Sequence, residues 1–277
     1  MKSPLITAEQ LITKPDNDVV VFDCRFSLAD TQMGEQQYQQ DHISGALYLH
    51  LDNDLSSTKA EHGGRHPLPS PEAFEALMRS CGVSETTHVV AYDDQRFAFA
   101  SRLWWLMRYF GHDNVSILDG GYSAWKAAGG AIESSITHRS GQGNFVSKTH
   151  TDWVLGYENI KEQLNSERRT LIDSREAPRY QGLEEPIDPV AGHIPGAVNY
   201  PWQEVTGTDG KALSPANLQH RWADLPQDKE LVIYCGSGVT ACVNLLSLAI
   251  IGVENAKLYA GSWSDWCSYP SSPIKKL

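Results

Sequence analysis

The chain has 277 residues, 41% of them hydrophobic and 21% charged. That is the composition of a globular protein with apolar material for more than one core. Lys and Arg number 23 against 34 Asp and Glu, a formal net charge of −11. The balance argues against nucleic-acid binding and against attraction to anionic membranes. An anionic substrate would need a few well-placed arginines to overcome that field.

The N-terminal "MKSPLITAEQLITK" lacks the apolar core of a signal peptide, and Thr7 and Gln10 have capping-box spacing for a short helix. "VVVFDCR" (Val19 to Arg25) is an apolar run that reads as a buried parallel strand. "DHISGALYL" (Asp41 to Leu49) supplies a glycine turn and a further strand, and Leu49 to Pro69 reads as a polar loop. "PEAFEALMRSCG" and "SRLWWLMRYFG" have helical spacing and stop at glycine. Between them "HVVAYDD" is a strand ending at Asp93, and "LDGGYSAW" closes the half.

A polar, glycine-containing stretch follows, and then the blocks return in the same order. "TLIDSR" (Thr170 to Arg175), "GHIPGAVNY" (Gly192 to Tyr200), "ELVIYCG" (Glu230 to Gly236) and "YAGSWSDW" (Tyr259 to Trp266) match the four blocks of the first half. The sequence is a duplication. Each copy alternates strands and helices, which predicts two α/β domains, each with a mostly parallel central sheet flanked by helices. The expected boundaries are 1–130, a linker at 131–152, and 153–277. The polar loop from Leu49 to Pro69 finds no counterpart in the second copy. The apolar segment Thr240 to Val253 contains Asn244 and Ser247 and is too short to span a bilayer. Five cysteines (Cys24, Cys81, Cys235, Cys242 and Cys267) have neither CxxC nor zinc spacing. We expect a reduced cytoplasmic protein with free thiols and no metal.

Cys235 ends an apolar run and is followed by Gly236-Ser237-Gly238-Val239-Thr240-Ala241, which leads into a helix. A strand of this kind delivers its last side chain to the carboxyl edge of the sheet, where open α/β domains bind ligands. Glycines let successive amides converge into an anion nest, and the helix N-terminus adds about half a positive charge. Such surroundings lower a thiol pKa to roughly 3.5–7.5. A buried, inert cysteine is the alternative. A phosphatase would need an arginine six positions after the cysteine, where Ala241 stands. A cysteine protease would need a histidine base and no competing anion nest.

The "CGSGVTA" loop with "DSR", "GHIPGA" and "GSWSDW" resembles the tandem rhodanese sulfurtransferases, and within them the 3-mercaptopyruvate branch. The resemblance covers nearly the whole chain. It implies two rhodanese-like domains with only the second catalytic, since Asp93 occupies the cysteine position of the first. It implies that Cys235 takes sulfur from a small anionic donor, mercaptopyruvate or thiosulfate, as a persulfide. A thiol, cyanide or thioredoxin-type acceptor then removes it. Neither metal nor organic cofactor is implied, and we expect a monomer.

By the same resemblance Arg179 binds the donor's acidic group, with Gly236, Gly238, Val239 and Thr240 around it. Asp52 and His66 would join Ser237 in a Ser-His-Asp relay. Ile187 stands where the mercaptopyruvate branch often carries a second substrate arginine, so thiosulfate remains an alternative donor. Arg65, Arg96 and Arg102 are the candidates to compensate. Arg25, Arg175, His42 and His193 recur in both copies and read as scaffold. A non-catalytic rhodanese-like binding protein is the alternative of a different class.

Overall fold

The computed structural model describes residues 3–14, 19–138, 141–164, 168–226 and 228–277. The chain divides into two compact units. Unit one comprises Met1–Ser57, Pro69–His150 and Thr206–Ala212; unit two comprises Thr58–Leu68, Thr151–Val205 and Leu213–Leu277.

Unit one holds strands β1 (Leu5–Ile6), β2 (Val19–Asp23), β3 (His42–Ile43), β4 (Leu47–Tyr48), β5 (His88–Tyr92), β6 (Val115–Leu118) and β7 (Ile132–Glu133). Among the described residues, five of these form a parallel sheet in the order β1-β6-β5-β2-β4, and β3 pairs antiparallel with β7. Unit two holds β8 (Val154–Leu155), β9 (Arg169–Asp173), β10 (Val198–Asn199), β11 (Glu230–Tyr234) and β12 (Lys257–Tyr259). These form a second parallel sheet in the order β10-β9-β11-β12-β8. The duplication extends to register: Val19 to Asp23 pair with His88 to Tyr92, as Arg169 to Asp173 pair with Glu230 to Tyr234.

The helices form where capping chemistry permits. Ser70 accepts from the Ala73 amide ahead of helix Pro71–Ser80, and Ser214 accepts from Asn217 ahead of Pro215–Arg221, each with proline in the first turn. Thr7 and Gln10 form the capping box expected of them. In unit two, Trp263, Trp266, Tyr234, Tyr259 and Ile160 bury against the sheet. Among the described residues no helix is long and apolar enough to cross a membrane.

The repeated polar pairs act as anchors. Arg25 Nη2 donates to Asp23 and to the Asp41 carbonyl, both at 2.6 Å; Arg175 Nη2 donates to Asp173 and to the Gly192 carbonyl at the same distance. His42 Nδ1 meets the Tyr38 carbonyl at 2.6 Å and His193 Nδ1 that of Tyr180 at 2.7 Å, each ring stacked on the tyrosine. All four side chains are buried.

By compactness, residues up to His150 belong to unit one. Phe145, 2% exposed, packs edge-on against Phe74, and its amide and carbonyl bond to Val83 and Arg79. One buried aromatic ties a stretch that composition alone reads as linker. The polar loop from Leu49 to Pro69 is divided between the units. Thr58–Leu68 joins unit two, and Thr206–Ala212 joins unit one, where Arg96 bonds Thr206 and Asp119 accepts from the Ala212 amide.

Candidate active site

β11 ends at Tyr234 and delivers Cys235 to the carboxyl edge of the second sheet. Cys235 is 2% exposed. The turn Gly261–Trp266 grips the backbone here. Ser262 Oγ accepts from the Cys235 amide at 3.1 Å, and the Trp263 and Ser264 amides donate to the carbonyls of Cys235 and Gly236 at 3.0 and 2.9 Å. Gly238 takes φ +77°, and a Cβ there would lie 2.3 Å from the Ala260 carbonyl oxygen, so glycine is required.

That turn holds the carbonyls of Cys235 and Gly236. Among the described residues, none accepts a hydrogen bond from the amides of Gly236, Ser237, Val239 or Thr240. The helix Ala241–Ile250 that follows has Thr240 at its N-cap with no side-chain cap. Buried amides without acceptors are rare in proteins, and clustered at a helix N-terminus they form a site for an anion. Val239 is buried and Thr240 partly exposed.

The corresponding loop of unit one is filled from within. Asp93 follows β5 and accepts from the amides of Gln95, Phe97, Phe99 and Ala100 at 2.8, 3.1, 2.9 and 2.8 Å. A carboxylate serves there as the loop's own anion.

The segment 58–68 carries two further side chains to Cys235's loop. Gly63 donates to Asp265 at 2.7 Å, Arg65 donates its amide to Ser264 at 3.1 Å, and His62 stacks on Tyr269. Gly64, at φ +86°, leaves no room for a Cβ, which would lie 2.4 Å from the Gly261 carbonyl oxygen. The segment being fixed this way, His66 Nδ1 lies 2.7 Å from Ser237 Oγ, both residues buried. Asp52 belongs to unit one, in the helix Leu51–Asp54, where its amide donates to His50 Nδ1 at 3.1 Å.

Arg179 lies on the helix Ala177–Gln181. A Cβ built on Gly236 would be 3.4 Å from Arg179 Nη2 and 3.0 Å from Arg65 Nη2, so two guanidinium groups stand beside the residue after the thiol. A chain of alternating charges holds them. Arg175 bonds Asp173 and Glu185; Arg179 bonds Glu185 through Nη2 at 2.6 Å and Nε at 3.1 Å; Asp188 pairs with Arg179 at 3.5 Å and also bonds Arg65. Burial alone would raise the Glu185 carboxyl. The hydrogen bond and charge of Arg179, with the amides of Asp188 and Ile187, instead hold it below the usual carboxylate range. Ile187 is 43% exposed. Glu185 and Asp188 were not singled out by sequence reading. Their one signal is a pair of acids three residues apart, shortly after Arg179 in "EEPID".

The remaining thiols are poorly placed for chemistry. Cys242 is buried and donates weakly to the Gly238 carbonyl, and Cys81 is buried. Burial, then Asp23, pushes the Cys24 thiol well up. Burial, then Asp188, pushes Cys267 up to about 11.

Comparison with known proteins agrees with the duplicated architecture. The rhodanese-like domain family matches residues 7–128 and 157–269. A probable 3-mercaptopyruvate sulfurtransferase of Pseudomonas aeruginosa is 42% identical over 98% of this chain and 97% of its own. A putative thiosulfate sulfurtransferase, SseB, of Mycobacterium tuberculosis is 39% identical over 98% and 96%. The crystal structure of SseA from Escherichia coli, described as a 3-mercaptopyruvate sulfotransferase with the rhodanese fold, superposes with a TM-score of 0.84. It is 31% identical and covers 95% of this chain and 99% of its own. Both halves of the sequence and both sheets therefore place the chain in the rhodanese family, as a tandem of two rhodanese-like domains.

Proposed function

We propose that the chain moves a sulfur atom from 3-mercaptopyruvate, through a persulfide on Cys235, to cyanide or a thiol. Its family and relatives make it an enzyme, a sulfurtransferase; the donor, intermediate and acceptor are our reading. The observation that carries it is that the amides of Gly236, Ser237, Val239 and Thr240 meet no acceptor among the described residues, beside a cysteine at a helix N-terminus without a side-chain cap. Amides so placed stabilise negative charge on sulfur, first on the thiolate and then on the terminal persulfide sulfur.

The electron count gives each residue a task. Cys235 thiolate attacks the donor sulfur, an S–S bond forms and the C–S bond breaks. The bonding pair passes to carbon as the enolate of pyruvate. The hydrogen on the donor's sulfur must end on the pyruvate methyl group, so a proton travels from sulfur to carbon. Ser237 and His66, joined at 2.7 Å, are the pair we assign to carry it. Arg179 binds the donor carboxylate beside Gly236. Gly238, Val239 and Thr240 contribute backbone to the cup. Cyanide then attacks the terminal sulfur, giving thiocyanate and returning the Cys235 thiolate.

Thiosulfate is the second reading, favoured by the resemblance to the mycobacterial relative and by Ile187, which offers no charge to a carboxylate. Its transfer releases sulfite and moves no proton. Intact-mass measurement after incubation with each donor tests the proposal. One added sulfur atom, removed by cyanide and absent from Cys235→Ser, is expected. No adduct with either donor would leave a binding protein as the better description.

A further inference from the structure

We infer that Arg65 is a second donor-binding residue, which grips the same carboxylate as Arg179 beside Gly236; this rests on the sulfur-transfer reading above. Three observations lead to it. The Nη2 atoms of both arginines converge on one point, 3.0 and 3.4 Å from where a Gly236 Cβ would stand. Glycine at this position keeps that point open, next to Cys235. Each guanidinium is also anchored to an acid, Arg65 by Nη1 on Asp188 and Arg179 by Nε and one Nη2 hydrogen on Glu185, and Nη2 carries a second N–H.

Arg65 Nη2 has no acceptor among the described residues. Asp188 and Glu185 offset the pair's long-range field, so recognition depends on directed N–H donors more than on net charge. A planar carboxylate accepting one bond from each Nη2 satisfies this arrangement. Asp188 is then a positioning residue, holding Arg65 at one oxygen and standing 3.5 Å from Arg179 at the other. Arg65 also reaches the site through a segment whose contacts lie about two hundred positions away in sequence, including the bond from its own amide to Ser264. An exposed aliphatic residue at 187 is therefore compatible with carboxylate recognition.

The competing role for Arg65 is that of a strut, pinning its segment through Asp188. Steady-state kinetics of Arg65→Gln and Arg65→Lys with mercaptopyruvate and cyanide separate the two, alongside pyruvate binding by calorimetry and thermal unfolding. Donor binding by Arg65 predicts a KM raised tenfold or more in Arg65→Gln, kcat within about threefold and pyruvate affinity lowered in parallel, with Arg65→Lys intermediate. A strut predicts lower kcat and lower unfolding temperature with KM unchanged, and that result would overturn the inference. Arg65→Lys keeps a cation for Asp188 and serves if the glutamine variant fails to fold. Pyruvate binding needs no sulfur transfer. If the native protein transfers none yet loses pyruvate affinity on substitution of Arg65, the carboxylate site stands and the transfer reading fails.

Discussion

The loops after β5 and β11 leave strands of equal length and equal register, yet one begins with Asp93 and the other with Cys235. In the first, four amides converge on the Asp93 carboxylate, and that internal acceptor holds even Arg96 and Phe97 in the left-handed region at φ 59° and 71°. In the second, the left-handed residue is Gly238, and the amides of Gly236, Ser237, Val239 and Thr240 meet no acceptor among the described residues. The same backbone device needs an anion in both copies. One copy supplies its own acceptor in Asp93; in the other, on the function proposed above, the place is left to a reacting sulfur.

Substitutions at the two positions should therefore fail in different ways. Cys235→Ser should lower sulfur transfer by roughly a thousandfold or more while leaving the unfolding midpoint near that of the native protein, since the cup itself survives. Coupled thiocyanate and pyruvate assays read the first quantity and denaturant titration the second. Next in size, His66→Asn should lower kcat with mercaptopyruvate by about a hundredfold and with thiosulfate by less than about threefold, because only the first donor moves a proton. Equal losses with both donors would remove His66 and Ser237 from proton transfer. Asp93→Ala should spare the chemistry but destabilise the protein by about 2–3 kcal/mol, as buried amides lose their acceptor. Urea midpoints measure it, and an unchanged midpoint would contradict the description of Asp93 as the loop's own anion.

Much of this contrast can be read in the sequence. The repeated "DCR" and "DSR", the paired "HISGA" and "HIPGA" and the apolar runs ending at Asp93 and Cys235 record short-range chemistry: buried strands, glycine turns and anchoring arginines. What was hidden depends on contacts between distant residues. Nothing periodic in "STKAEHGGRHPLP" reveals that Gly63, Arg65 and His66 meet Asp265, Ser264 and Ser237. The glycine doublet before Arg65 is its single clue, marking a backbone that must pass close to something. Phe145 likewise needed Phe74 and Val83 to show that its polar surroundings are folded onto unit one. The acids that hold the two guanidiniums, Glu185 and Asp188, sit in a stretch whose sequence reads as an ordinary turn.

A smaller effect sharpens the account of those acids. Glu185 has a folded pKa below its unfolded one, so its share of stability is complete above the unfolded value of about 4.3 and disappears as the pH falls through the folded value. The difference in unfolding midpoint between native protein and Glu185→Gln should be constant from neutral pH to about 5 and shrink in more acidic solution. A difference that grows on acidification would show that Glu185 is not held ionised by Arg179.

The central claim is that the second loop receives on sulfur the negative charge that the first loop carries on carboxylate. A crystal structure of donor-treated protein tests it most directly. We expect an extra sulfur bonded to Cys235 Sγ and facing the amides of residues 236–240, with the Asp93 bonds unchanged. A persulfide turned away from those amides, or sulfur carried on a different cysteine, would contradict the account.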